Sequence, residues 1–195
     1  MALLSFQRRN REHLKPWSPP MPDAYYTIAY WSQWSAQARP IYDQDQGARL
    51  VMRLKDEPDG PVIGLITLSQ IVRGAFQAAS LGYQIDAAHE GRGLMSEALG
   101  LTVDFAFRIL RLHRIMANYI PENVRSARVL ERLGFRKEGY ARDFLFIDGA
   151  WRDHVLTALI NPEPTEPAPA ESLPGRHATP ARPSQRRLAP RGLKV

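Results

Sequence analysis

The sequence predicts a mixed α/β fold: a twisted sheet, antiparallel at its front and holding one parallel strand pair, with helices packed against it. Three observations predict it. Residues 48–86 read as three β-rich runs separated by the turns DEPDG and RGAF. Residues 81–133 then alternate strand, helix, strand, helix, the order that brings two strands side by side in parallel. The last stretch, YARDFLFI and WRDHVLTALI, is two strand-like runs joined across Asp148 and Gly149, a hairpin signal.

Each element has its own local reason. Residues 3–14 set Leu3, Leu4, Phe6, Asn10 and Leu14 on a partial helical stripe that Pro16 ends. The Pro-rich KPWSPPMP is a loop. TIAYWSQWSAQA carries Ile28, Trp31 and Trp34 at three-residue spacing, a second helix whose tryptophans are read as core. ARLVMRLK, PVIGLITLSQIV and AASLGYQID form an antiparallel meander, with Gly74 in its second turn. Met95, Leu99, Thr102, Val103, Ala106, Ile109 and Leu110 repeat at helical spacing, so a long helix lays one face on the sheet. A strand over residues 114–120 and a helix through SARVLERLG follow, the latter ending in a glycine cap at Gly134 with Phe135 as its hydrophobic contact.

The 195 residues are 44% hydrophobic and 24% charged, the balance of one globular domain with an appendage. The absence of cysteine excludes disulfide frameworks, thiolate zinc sites, iron–sulfur clusters and a cysteine nucleophile. His13, His89, His113, His154 and His177 form no HxxxH or HxxH pair, so no metal is expected. No apolar run approaches the roughly 18–20 residues that span a bilayer. MALLSFQRR also places its apolar residues before its basic ones, the reverse of a signal peptide, and a cytoplasmic protein without a membrane partner is expected. The net charge is +6. Residues 161–195 hold eight prolines, six Lys or Arg and three Glu, and are expected to contribute half of that charge as a disordered tail over residues 162–195. Weak RNA contact is the candidate use for it.

The strongest chemical signal is HEGRGLM, with Gly91, Arg92 and Gly93 between the strand ending at Asp86 and the helix beginning near Met95. Two glycines let the backbone turn sharply and approach a ligand, and the helix start behind them presents free N–H groups, a cradle for phosphate. No GK[ST] closes it and no third glycine follows, so nucleotide hydrolysis and hydride transfer lose their support. PENVRSARVLERLGF comes after one more strand, with Asn123 at a helix-cap position and Ser126 three residues on.

EGRGLM followed by NxxSxxVLExLGF resembles the GNAT (GCN5-related) N-acetyltransferases over residues 2–161. REHLKPW, LGYQIDxxxEGRGLM, RIMANYIPEN, RLGFRKEGYARD and IDGxWRDHVLTAL are similar to the RimJ-type ribosomal-protein-alanine N-acetyltransferases within that family. The resemblance implies acetyl-CoA as donor, in a cleft where the strand through residues 81–86 parts from its parallel neighbour. The diphosphate would lie on the amides of Gly91, Arg92, Gly93, Leu94 and Met95. Backbone N–H groups near Tyr83, Gln84 and Ile85 would hold the thioester oxygen, Asn123 would contact the pantetheine arm, and Ser126 would protonate the leaving thiolate.

Direct attack of an amine on a thioester needs only a neutral amine, alignment and a stabilised oxyanion. Asp143 is the candidate base, with Glu138 and Asp153 as alternatives, and Tyr140 competes with Ser126 as acid. The basic and aromatic REHLKPW, above all Trp17, is the candidate acceptor-binding loop. The implied acceptor is the N-terminal alanine of a small-subunit ribosomal protein. The rivals are a GNAT acting on another protein N-terminus or on a small amine such as an antibiotic or polyamine, which an acidic acceptor pocket would mark, and a non-catalytic module binding CoA or RNA.

Two features depart from the family pattern. Members open with an extra strand, whereas this chain opens in the helix that follows it, so the first edge strand is expected to be missing and residues 48–55 to present an unpaired edge. Glu90 stands where Gln or Arg is usual, so its carboxylate is expected to turn outward or to pair, with Arg92 as the candidate partner.

Overall fold

The structure, a computed structural model, describes residues 1–163 and the backbone of Leu193–Lys194. Most of the expected tail, and with it the suggested RNA contact, lies outside the described residues.

The N-terminal helix is two helices. Helix α1 (Ala2–Arg9) buries Leu4, Phe6 and Gln7 and carries Arg8 and Arg9 in its last turn, where cations complement the helix dipole. Asn10 leaves helical geometry at φ −104°, ψ 9°, and α2 (Arg11–Leu14) resumes beyond it. Asn10 breaks the helix because its side chain has two tasks, donating to the Phe6 carbonyl at 2.9 Å and accepting from the Ala87 amide at 3.0 Å. The stripe expected to run unbroken to Pro16 is thereby pinned to a turn 77 residues away.

Thr27 caps α3 (Ile28–Ala36) by accepting from the Tyr30 amide. Trp31 is buried and donates its indole N–H to the Tyr25 carbonyl at 2.7 Å, and Trp34 packs beside it. Ile28, expected on the same stripe, is exposed. A further short helix, α4 (Ala38–Asp43), tolerates Pro40 because it falls in the first turn.

The sheet is mixed. Strands β1 (Ala48–Leu54), β2 (Gly64–Val72) and β3 (Ala78–Ile85) form the expected meander, with Ala48 opposite Leu68 and Leu68 opposite Leu81. Helix α5 (Leu94–Asp104), prolonged by a π-turn over Phe105–Ile109, crosses back to β4 (Arg114–Met116), which lies parallel to β3. Helix α6 (Val124–Arg132) leads into the β5 (Arg136–Ile147) and β6 (Ala150–Ile160) hairpin, and β6 closes on β4, giving the order β5-β6-β4-β3-β2-β1. A two-residue β7 (Leu193–Lys194) pairs with Leu54 and Arg53, so the edge expected to be bare is covered at that end. One core fills the space between the sheet and α5 and α6, and a second lies between the opposite face and the N-terminal helices. Among the described residues no helix is long and apolar enough to cross a membrane.

One feature of the sheet positions the candidate site. The parallel pairing of β3 with β4 stops after Ser80 opposite Met116. Beyond it residues 117–120, expected to continue the strand, swing toward β6, where Tyr119 bridges Val155. A wedge opens between the second half of β3 and this departing segment.

Candidate active site

A cavity of about 930 Å³ runs through the wedge and is lined from both faces of the sheet. Its walls include Gly91, Gly93, Leu94 and Met95 at one end, Tyr83, Gln84, Ile85, Asn123 and Ser126 at its waist, and Trp17 at the other. The structure thus brings together ten of the positions nominated from sequence.

The glycine turn is held from below. Asp86 accepts from the Ala88 amide at 3.0 Å and pairs with Arg9, which also donates to the Val62 carbonyl. Burial alone would raise the Asp86 carboxyl, but bonds from Arg9, Asn10 and the Ala88 amide, together with the Arg9 charge, outweigh it and hold the group below the usual carboxylate range. Such a group stabilises the fold above its unfolded-state pKa of about 3.9 and loses that contribution as pH falls through the lower folded-state value. Asp86→Asn should therefore lower stability by about 1–3 kcal/mol near neutrality. In denaturant titrations the gap between the two proteins should narrow as the pH is taken from 5 toward 2.

Gly91 (φ 72°) and Gly93 (φ 78°) both occupy the left-handed region, and a Cβ on either would meet no heavy atom within 4 Å. The space in front of the turn is open. Gly93 caps α5 without a side-chain bond, so the first amides of the helix keep their donors, while the Leu94 and Met95 side chains are buried in the core behind. Ser96 adds a buried hydroxyl with no hydrogen-bond partner among the described residues. Free amides, an orphaned hydroxyl and a helix N-terminus together suit a diphosphate. The donor set therefore fits the anionic portion of CoA. Arg92 does not line the cavity, so only its backbone is placed to take part.

At the waist, direction along β3 alternates. The Asp86 amide donates to Ile63 of the β2 side, so Gln84 and Gly82 also face β2, while Tyr83 and Ile85 turn their N–H groups into the wedge. Of the three consecutive positions nominated there, Gln84 commits its backbone to the ladder and its side chain to Gln7 at 2.9 Å.

Asn123 accepts from the Ser126 amide at 3.0 Å, capping α6 and fixing the serine. Ser126 Oγ lies 2.5 Å from the Tyr83 hydroxyl. Burial pushes the Tyr83 phenol up to about 12, the hydrogen bond to Ser126 offsetting only part of the rise. The phenol therefore stays protonated and donates to Ser126, which leaves the serine proton free to be given to a third atom.

The nominated bases lie elsewhere. Asp143, at φ 47° in an irregular stretch of the β5–β6 ladder, turns its amide to the Asp153 carboxylate at 2.9 Å. Tyr140 donates to the same carboxylate at 2.7 Å. That bond raises the Tyr140 phenol and, with the Asp143 amide, holds Asp153 below the usual carboxylate range, making each a poorer proton carrier near neutrality. Glu138 pairs with Arg114. None of these four lines the cavity. Glu90 does, and it pairs with Arg125 and, at 3.5 Å, with His13; the expected partner Arg92 is not involved. Sequence reasoning missed Arg125 and Ser96, although both sit in the first turns behind the two motifs, where ligand-facing side chains belong. It also passed over His154, a buried member of the cavity wall.

Comparison with known proteins decides the family. Residues 2–136 match the model of the acetyltransferase (GNAT) domain. The chain belongs to the GNAT acetyltransferases. It is 45% identical over 162 residues to the [Ribosomal protein uS5]-alanine N-acetyltransferase of Escherichia coli (strain K12), covering 83% of this chain and 82% of that one. The structure of the ribosomal-protein-S5-alanine acetyltransferase from Vibrio fischeri superposes with a TM-score of 0.80 at 39% identity, over 85% of this chain and 89% of that one. Mycobacterium smegmatis RimJ in complex with CoA-disulfide superposes at 0.74 with 32% identity, over 80% and 75%. This GNAT chain is thus an N-acetyltransferase whose wedge, glycine turn and helix start stand in one cavity.

Proposed function

We propose that the protein transfers the acetyl group of acetyl-CoA to the N-terminal amine of an alanine, on a small-subunit ribosomal protein. The relatives named for that reaction supply the acceptor, and one observation of this chain favours it over a small polyamine. The cavity wall holds only two carboxylates among the described residues, and both are neutralised, Glu90 by Arg125 and Glu122 by Arg152 at 3.5 Å. The far end is instead aromatic, with Trp17, Trp31 and Trp34. Such a wall suits a chain terminus with one amine and an apolar stem better than a polycation. Action in the cytoplasm, where ribosomal proteins are made, follows from the same reading.

In the mechanism the amides of Gly91, Arg92, Gly93, Leu94 and Met95 hold the diphosphate, and Asn123 lies along the pantetheine path. The amides of Tyr83 and Ile85 face the thioester oxygen, where negative charge grows as nitrogen attacks carbon; loss of one such donor typically costs a factor of about 10² or more. As the C–S bond breaks, Ser126 gives its proton to sulfur and is replenished from Tyr83. Trp17, 38% exposed at the mouth, orients the acceptor.

The test offers labelled acetyl-CoA with peptides beginning in Ala, Ser or Thr and with spermidine. Transfer to the Ala peptide with the highest kcat/KM is expected. Transfer to spermidine alone would assign the site to small amines, and CoA binding without any transfer would make it a binding module.

A further inference from the structure

We propose that His154 is the general base of the transfer, taking the proton from the attacking amine through Nε2. The inference rests on the acetyl transfer to an amine argued above and adds the group that deprotonates it.

His154 lies on the acceptor side of the wedge. The ladder sets Ser80 opposite Met116 and Met116 opposite Ala158, so Ser80, Met116 and Ala158 share one face of the sheet, and the two-residue period adds Gly82 and Gln84 on β3 and His154 on β6. That face carries the N-terminal helices and Trp31. His154 also stands next to Val155, which Tyr119 bridges where the departing segment reaches β6. It is only 3% exposed, yet it forms part of the cavity wall.

The ring has one defined tautomer. Nδ1 lies 3.0 Å from the Arg152 carbonyl oxygen, which can only accept, so the neutral ring carries its proton on Nδ1 and a lone pair on Nε2. Nε2 makes no hydrogen bond among the described residues, and the Phe144 ring, 5.2 Å away, packs against the imidazole. The other histidines and the carboxylates on the wall are engaged or placed at the donor end. His13 pairs with Glu90, Glu122 with Arg152, and His89 stands 3.9 Å from Asp86 beside the glycine turn. Asp153, beside His154 on its own strand, is held by Tyr140 and the Asp143 amide. Among the described residues His154 is the base left facing the acceptor with a free acceptor nitrogen.

The step balances. The ammonium gives one proton to His154 Nε2 and becomes the nucleophile. The N–C bond forms as the C–S bond breaks, the sulfur takes the proton of Ser126, and the second proton that the nitrogen sheds on becoming an amide reloads the Ser126–Tyr83 pair through solvent in the cavity. The imidazolium then returns its proton to solvent through the cavity.

The test compares pH profiles of kcat/KM for wild type, His154→Gln and His154→Asn with an Ala-initial peptide, alongside the Kd for CoA. At pH 7 both variants should lose about 10²-fold, the usual worth of a general base. The loss should shrink to a few-fold by pH 9, because an α-amine with pKa about 8 then sheds its proton to water. CoA affinity should stay unchanged. Wild-type rates in either variant at pH 7, or a loss of the same size at every pH, would overturn the proposal. A wild type that transfers to no amine while still binding CoA would overturn the parent reading and this one together, and the wild-type profile shows which of the two has failed.

Discussion

Ser126→Ala should lower kcat by about 10²-fold while leaving the KM for acetyl-CoA nearly unchanged, because the hydroxyl is needed only when the thiolate leaves. Tyr83→Phe should cost less, about tenfold, since Ser126 keeps its own proton but loses the partner that restores it. The double variant should fall no further than Ser126→Ala alone. That non-additivity follows from geometry: the two hydroxyls are 2.5 Å apart and, in the mechanism proposed above, act as one relay. Steady-state kinetics on the three variants checks it, and additive losses would mean that Tyr83 and Ser126 act on different atoms. Because the Tyr83 phenol is pushed up to about 12, no loss of rate from its ionisation should be seen below pH 10.

Gly93→Ala should weaken CoA binding at least tenfold, and Gly91→Ala by a similar factor. The new methyl meets nothing within 4 Å, so crowding inside the protein is not the cause. The cost lies in the backbone, which holds φ 78° and 72° at these positions, a conformation that charges an alanine about 1–2 kcal/mol. The turn would relieve that strain by rotating, which would withdraw the amides proposed to face the phosphates. The methyl would also stand in the open space where a phosphate oxygen belongs. Isothermal titration with CoA measures the loss, and dephosphorylated pantetheine, which lacks the diphosphate, should be almost insensitive to either substitution.

Much of the candidate site was legible because its parts are local. A glycine pair between a strand and a helix announces an anion cradle, and an asparagine three residues before a serine announces a cap that fixes the serine. The β-rich runs and turns over residues 48–86 and the Asp148-Gly149 turn gave the meander and the hairpin for the same reason. What stayed hidden depends on distant partners. Asn10 breaks the first helix only because Ala87 is there to be bonded. Asp143 looked like a base on a strand, but in an irregular stretch of the ladder its backbone amide bonds the Asp153 carboxylate, and the residue does not line the cavity. Tyr83 was nominated for its amide, and its hydroxyl acquires meaning only when Ser126, 43 residues on, is folded against it. Which way His154 faces is set by register across three strands, and Glu90 finds Arg125 through the docking of α6.

The most direct measurement is a crystal structure with CoA bound. The diphosphate should lie within hydrogen-bonding distance of the amides from Gly91 to Met95, the pantetheine should pass between β3 and residues 117–120, and the sulfur should come within reach of Ser126 Oγ. CoA seated outside the wedge, or a diphosphate with no contact to the glycine turn at saturating ligand, would contradict it.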